Sequence, residues 1–183
     1  PVIGGISMGA AIALRLAVKS PEMWRGLILA RPAWVVEAVP DTLAPHRQIA
    51  EHLATRPTED NSDEVRRRFE ESAIARAIAV ESPDNLASLL GFFDRRPLDQ
   101  TQALLAAIAR DGPGVSKQEI AALDMPTLVI GTSHDAVHPL AMARELASLI
   151  PRARLAKITS KSENPKAYVD EFRMTLRQFL KEI

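Results

Sequence analysis

Gly5-Ile6-Ser7-Met8-Gly9 joins a short apolar run, Val2–Ile6, directly to a helical pattern that continues to Lys19. An unbroken apolar run of this length suits a parallel strand buried on both faces. In the helix, Met8, Ala11, Ile12, Leu14, Leu16 and Val18 alternate with Gly9, Ala10, Ala13 and Ala17, small residues that permit close packing on a sheet. A strand that turns straight into a helix needs a tight, strained backbone, and small residues on either side let the two elements approach. The turn leaves the Ser7 hydroxyl exposed at the helix N-terminus, where the following amide, that of Met8, can donate to an oxyanion. The helix dipole also favours negative charge there. The competing structural role is a tight glycine turn with a capping serine. The interval Gly4 to Gly9 has glycine-loop spacing too, but no Lys-Ser or Lys-Thr pair follows, so phosphate-loop chemistry finds no support.

Both ends of the chain continue in this alternating style. Gly26–Ala30 (GLILA), residues 127–131 (TLVIG) and, more weakly, Ala153–Ile158 (ARLAKI) read as further strands. Ser20-Pro21 stops the first helix, Pro139 opens another and Pro151 closes it. Tyr168, Phe172, Leu176, Phe179 and Ile183 recur at spacings of four and three, one face of an amphipathic last helix over residues 165–182, with Asn164 as its N-cap. Strands separated by helices imply βαβ units, hence an α/β chain with a parallel sheet of about four strands flanked by helices.

The middle contains no convincing strand. Its signals predict a helix from Asp41 to about Thr55 and one from an Asn61/Glu64 capping box to about Val80. Two more follow, from Ser82-Pro83 to about Phe93 and from Pro97 to the Asp111-Gly112-Pro113-Gly114 stop, then a short one boxed by Ser116 and Glu119. The expected organisation is a sheet-forming core over 1–34 and 123–183, interrupted by a helical insertion over 35–122. Arg66-Arg67-Arg68 reads as a solvated helix face rather than an anion site.

Composition narrows the function classes. Lysine plus arginine (23) equals aspartate plus glutamate (23), which removes the electrostatic case for wholesale binding to nucleic acid or an anionic membrane. With no cysteine, disulfides, thiol catalysis and thiolate metal sites are excluded, and the four histidines lack metal-ligand spacing. The longest apolar runs fall short of a membrane span. The chain opens with Pro1 rather than methionine, already inside an apolar run, so a processed, truncated or partial start is expected.

The segment GGISMGAAIALRLAVKSPEMWRGLILARPAW resembles the nucleophile-elbow region and following strand of the α/β-hydrolase family. DMPTLVIGTSHDAVHP resembles that family's later strand and acid-bearing loop, with Gly131, Asp135 and Pro139 at the matching positions. KITSKSENPKAYVDEFRMTLRQFL resembles its last strand and C-terminal helix, and the middle matches only as the variable helical cap. The resemblance implies a partial α/β-hydrolase fold with a Ser-Asp-His triad: Ser7 as nucleophile, Asp135 as acid and Met8 as oxyanion donor. It implies a serine hydrolase acting on an ester or related carbonyl, without a cofactor, on a small or medium apolar substrate under the cap. A serine elbow disfavours the aspartate-nucleophile branches, such as haloalkane dehalogenases and epoxide hydrolases. The alternatives are a non-catalytic relative that binds a small molecule or a partner, and the C-terminal part of an active enzyme that is inactive alone. A cytoplasmic location is the accompanying expectation.

Two departures stand out. The family carries its histidine after the last strand, here Thr159-Ser160-Lys161-Ser162-Glu163-Asn164, and no histidine follows His138. Lys161 could act as a base only if desolvation kept it neutral, which its polar neighbours oppose. His134 adjoins Asp135, so the two side chains should diverge. His138 is placed to line the site, with a role as base the lesser alternative, and otherwise suits the start of a helix beside Pro139. His46 and His52 belong to the insertion, where packing or surface roles dominate. The triad base is therefore not identified, and His138, His134, Lys161 and Trp34 are the candidate lining residues; the ordinary role of Trp34, like that of Trp24, is packing. In addition, the family's strands before the elbow are missing. Val2–Ile6 becomes an exposed apolar edge, a pairing liability, so the chain is expected to belong to a longer protein or to pair this edge with another copy.

Overall fold

A computed structural model describes residues 1–55 and 62–183. In chain order its elements are β1 (Val2–Ile6), α1 (Met8–Lys19), β2 (Gly26–Ala30), α2 (Ala44–Leu53), α3 (Ser62–Glu70), α4 (Ala73–Glu81), α5 (Pro83–Leu90), α6 (Leu98–Ile108), α7 (Lys117–Ala121), β3 (Thr127–Thr132), α8 (Leu140–Leu149), β4 (Ala153–Ile158) and α9 (Pro165–Glu182). They form two compact units, Pro1–Ala38 with Gly112–Ile183, and Val39–Asp111.

The first unit holds one parallel sheet in the order β1-β2-β3-β4, with Gly5 opposite Leu29 and Ile130 opposite Ala156. All four expected strands are present, β3 running one residue further, to Thr132. Successive strand residues face opposite ways. Leu27, Leu29 and Val129 pack with Ala10, Ala13, Leu14 and Ala17 of α1, Ile120 of α7 and Leu146 of α8. Ala30, Leu128, Ile130 and Ile158 pack on the other face with Phe179, Tyr168, Phe172 and Leu176 of α9. β3 is buried at all six positions, as a strand covered on both faces should be. β1 ends the sheet; Ile6 is half-exposed there, and so are Met8, Ile12 and Leu16 along α1. Asn164 caps α9 as expected, its side chain accepting from the amides of Lys166 and Ala167.

The sheet unit extends beyond its expected limits. Val35, Val115 and Ile120 are buried in its core, so residues 35–38 and 112–122 belong with the sheet rather than with the insertion. The Ser116/Glu119 capping box is formed, with both reciprocal hydrogen bonds, and starts α7.

Among the described residues the second unit is helical throughout, around buried Ile49, Phe69, Leu89, Phe93 and Leu105. The helix expected from Asp41 begins as a 3-10 turn over Asp41–Leu43. The helix expected over 61–80 is two, because Ser72 accepts from the Ala75 amide at 3.1 Å and starts α4 afresh. Asn61 itself lies outside the described residues. α5 stops at Leu90 and passes into a 3-10 turn, Gly91–Asp94. Arg66 pairs with Glu70, and Arg68 with Glu64, one turn apart on α3 and half-exposed, as on a solvated face. No helix among the described residues is long and apolar enough to cross a membrane.

Candidate active site

Ser7 stands between β1 and α1 with φ 55° and ψ −118°, a left-handed conformation that costs a non-glycine residue energy. Its amide donates to the Ala30 carbonyl at 3.0 Å, and its own carbonyl accepts from Ala10 at 3.0 Å. The strand ladder and the helix thus fix the turn from both sides. A Cβ at Gly5 would lie 2.1 Å from the Gly9 carbonyl carbon and oxygen, so the strand reaches the helix backbone only because Gly5 has none. A Cβ at Gly9 would meet nothing within 4 Å; of the two motif glycines, only the one before the serine is required for space. Met8 opens α1, so its amide is among the helix-start donors without an intrahelical acceptor.

Beyond β3 the chain turns through Asp135, whose carboxylate is almost wholly buried. Its Oδ1 accepts from the His138 amide at 3.0 Å and lies 3.0 Å from His138 Nδ1. The other ring nitrogen, Nε2, is 2.8 Å from Ser7 Oγ. Asp135 Oδ2 accepts from Arg31 Nε at 2.7 Å and from the Thr132 hydroxyl at 3.5 Å. Burial alone would raise the Asp135 carboxyl, but the hydrogen bond and charge of His138, followed by those of Arg31, outweigh it and hold the group at about 2. Burial alone would lower Arg31; the Asp135 charge and hydrogen bond outweigh that and raise it.

The structure therefore brings Ser7, His138 and Asp135 into one hydrogen-bonded line. The sequence places His138 among the lining residues; the structure sets its ring between Asp135 and Ser7. The physical reason is local: Asp135 binds the backbone N–H of the residue three places on, which folds the loop so that the imidazole returns to the same carboxylate oxygen. The Asp-x-x-His spacing ahead of Pro139 was the available signal. Ser7 joins them because β1 and β3 flank β2 and end on the same side of the parallel sheet.

His134 does diverge from Asp135; its ring is half-exposed, 3.7 Å from Glu163. Lys161 is exposed. The stretch after β4 closes on itself, the Ser160 amide and hydroxyl both donating to Glu163, and Thr159 donating to Glu171. Trp34 is buried, as packing requires. His46 and His52 set their rings edge-on to Phe92 and Phe69 in the helical unit. Arg31 was missed altogether; a cation directly after a strand of the same sheet was the only hint. Among the described residues, no group of three metal-ligating side chains is assembled.

A hydroxyl bonded to an imidazole, which is bonded in turn to a buried carboxylate, is an arrangement that can generate a nucleophilic alkoxide at neutral pH. Among solved structures, the enol-lactonase from Burkholderia xenovorans LB400 matches 97% of this chain and 64% of its own, with TM-score 0.64 and 24% identity. An acetylester hydrolase from Corynebacterium glutamicum matches 97% of this chain and 60% of its own, with TM-score 0.69 and 17% identity. A thermophilic esterase from Thermogutta terrifontis matches 97% and 65%, with TM-score 0.61 and 23% identity. The chain thus spans less than two thirds of the length of these proteins. In sequence it is 32% identical over 165 residues to polyketide synthase ThaQ of Burkholderia thailandensis, across 84% of this chain and 7% of that protein. No known protein-family profile matches the chain.

Proposed function

For a chain that carries part of the α/β-hydrolase fold, we propose a serine hydrolase that cleaves an ester or related carbonyl substrate through Ser7, His138 and Asp135. The observation that carries this reading is the 2.8 Å contact between His138 Nε2 and Ser7 Oγ. His138 Nε2 takes the Ser7 proton as Oγ adds to the carbonyl carbon, and Asp135 holds the Nδ1–H tautomer and balances the imidazolium. The Met8 amide donates to the oxyanion. His138 then gives its proton to the leaving alcohol or thiol, and the acyl group remains on Ser7. Water deprotonated by the same nitrogen attacks that ester and releases the acid, restoring Ser7. No cofactor enters these steps. The substrate is a small, largely apolar acyl compound. The outer edge of β1 is the proposed pairing place for a further strand, from a longer protein or a second copy.

The test is labelling with a fluorophosphonate probe read by intact mass, beside hydrolysis of p-nitrophenyl acetate and butyrate and of an acyl thioester. The thioester arm follows from the similarity to a segment of a polyketide synthase. Labelling and turnover that both vanish in Ser7→Ala support the reading; a full-length, folded protein with neither sinks it. A non-catalytic binding role is favoured by the stretch after β4, which has no histidine, and it predicts that second result.

A further inference from the structure

Arg31 follows β2, the strand that lies between the one delivering Ser7 and the one delivering Asp135. Its backbone is held left-handed at φ 44°, and its amide donates to Ile130 at 2.7 Å, so the origin of the side chain is fixed. The side chain of Arg31 is 18% exposed and that of Asp135 2%, so the pair is little screened by solvent. The two carboxylate oxygens have separate partners: Oδ1 serves His138, and Oδ2 serves Arg31 and Thr132. Tyr168 of α9 is a further, smaller influence that raises Arg31, after Asp135. A carboxylate is free to spin about its own axis, and fixing one oxygen fixes the plane of the other.

We propose that Arg31 is a positioning residue for the Ser7–His138–Asp135 line: it clamps Asp135 Oδ2 so that Oδ1 alone faces His138, and it shares the carboxylate's charge. The proposal rests on the hydrolase reading of this site. Lysine would supply the charge without the planar Nε donor, so the two parts of the role can be separated.

The experiment compares the wild-type chain with R31Q and R31K in two readouts: kcat against KM, and the low-field imidazole N–H proton of His138 by NMR. For R31Q, kcat falls on the order of 10²-fold with KM nearly unchanged, the cost of a loosened acid. Its low-field proton is lost to exchange. R31K loses several-fold in kcat and broadens the proton. An intact low-field proton in R31Q overturns the proposal, whatever happens to kcat. Should R31Q fail to fold, R31K decides: wild-type kcat with a wild-type proton signal overturns the clamp. A wild type without Ser7-dependent turnover removes the hydrolase reading, and the proton signal still decides whether Arg31 holds Asp135.

Discussion

Replacing Asp135 with asparagine keeps the size of the side chain and removes its charge. The folded carboxyl sits at about 2 against an ordinary 3.8, a displacement worth about 2 kcal/mol of stability at neutral pH. The same change leaves Arg31 without its anionic partner in a largely buried place, which adds destabilisation of the same sign. Wild type should therefore exceed D135N by about 2–4 kcal/mol at pH 7. The sign of the pH dependence follows from the direction of the shift. A carboxylate held below its unfolded value stabilises fully above that value and loses the contribution as pH falls through the folded one. The gap should accordingly shrink between about pH 5 and pH 2. Urea unfolding followed by tryptophan fluorescence measures it, because Trp24 and Trp34 both belong to the sheet unit. In activity, D135N should lose on the order of 10³–10⁴-fold in kcat through the wrong imidazole tautomer. A gap below about 0.5 kcal/mol at pH 7, or one that stays constant down to pH 3, would refute the buried ionised acceptor.

The remaining expectations are simpler. His138→Ala should remove at least about 10²-fold in ester hydrolysis, whereas His134→Ala should stay within about twofold; equal effects would place the base elsewhere. Gly5→Ala should destabilise the sheet unit by more than about 3 kcal/mol, because its Cβ would sit 2.1 Å from the backbone of Gly9, while Gly9→Ala should cost almost nothing in the same urea series. Asn164→Ala should cost about 1 kcal/mol, since it orphans the Lys166 and Ala167 amides at the start of α9, and a shift in thermal midpoint reads it.

The strands were legible because each is a local apolar run bounded by glycine, proline or charge, and the start of α9 because its cap lies next to it in the chain. The helical insertion was less so. Whether Ser72 breaks a helix depends on which amide its hydroxyl finds, and periodicity does not report that. The limits of the insertion shifted because Val35 and Val115 find their neighbours in the sheet core, far along the chain.

At the site the division is sharper. A strand, a glycine-flanked serine and a helix within a dozen residues are enough to determine the elbow, because the strain and the close approach at Gly5 are local. That also holds for Asp135 as the loop carboxylate after β3. Which histidine lies against Ser7 is decided only by the tertiary structure. Local spacing brings the imidazole to Asp135, but only the parallel order β1-β2-β3 carries Ser7, 131 residues away, to within 2.8 Å of its other nitrogen. The same sheet sets Arg31 against Asp135 across 104 residues. Hydrogen bonds of that reach leave no mark in periodicity or composition, because nothing between the partners needs to change to accommodate them.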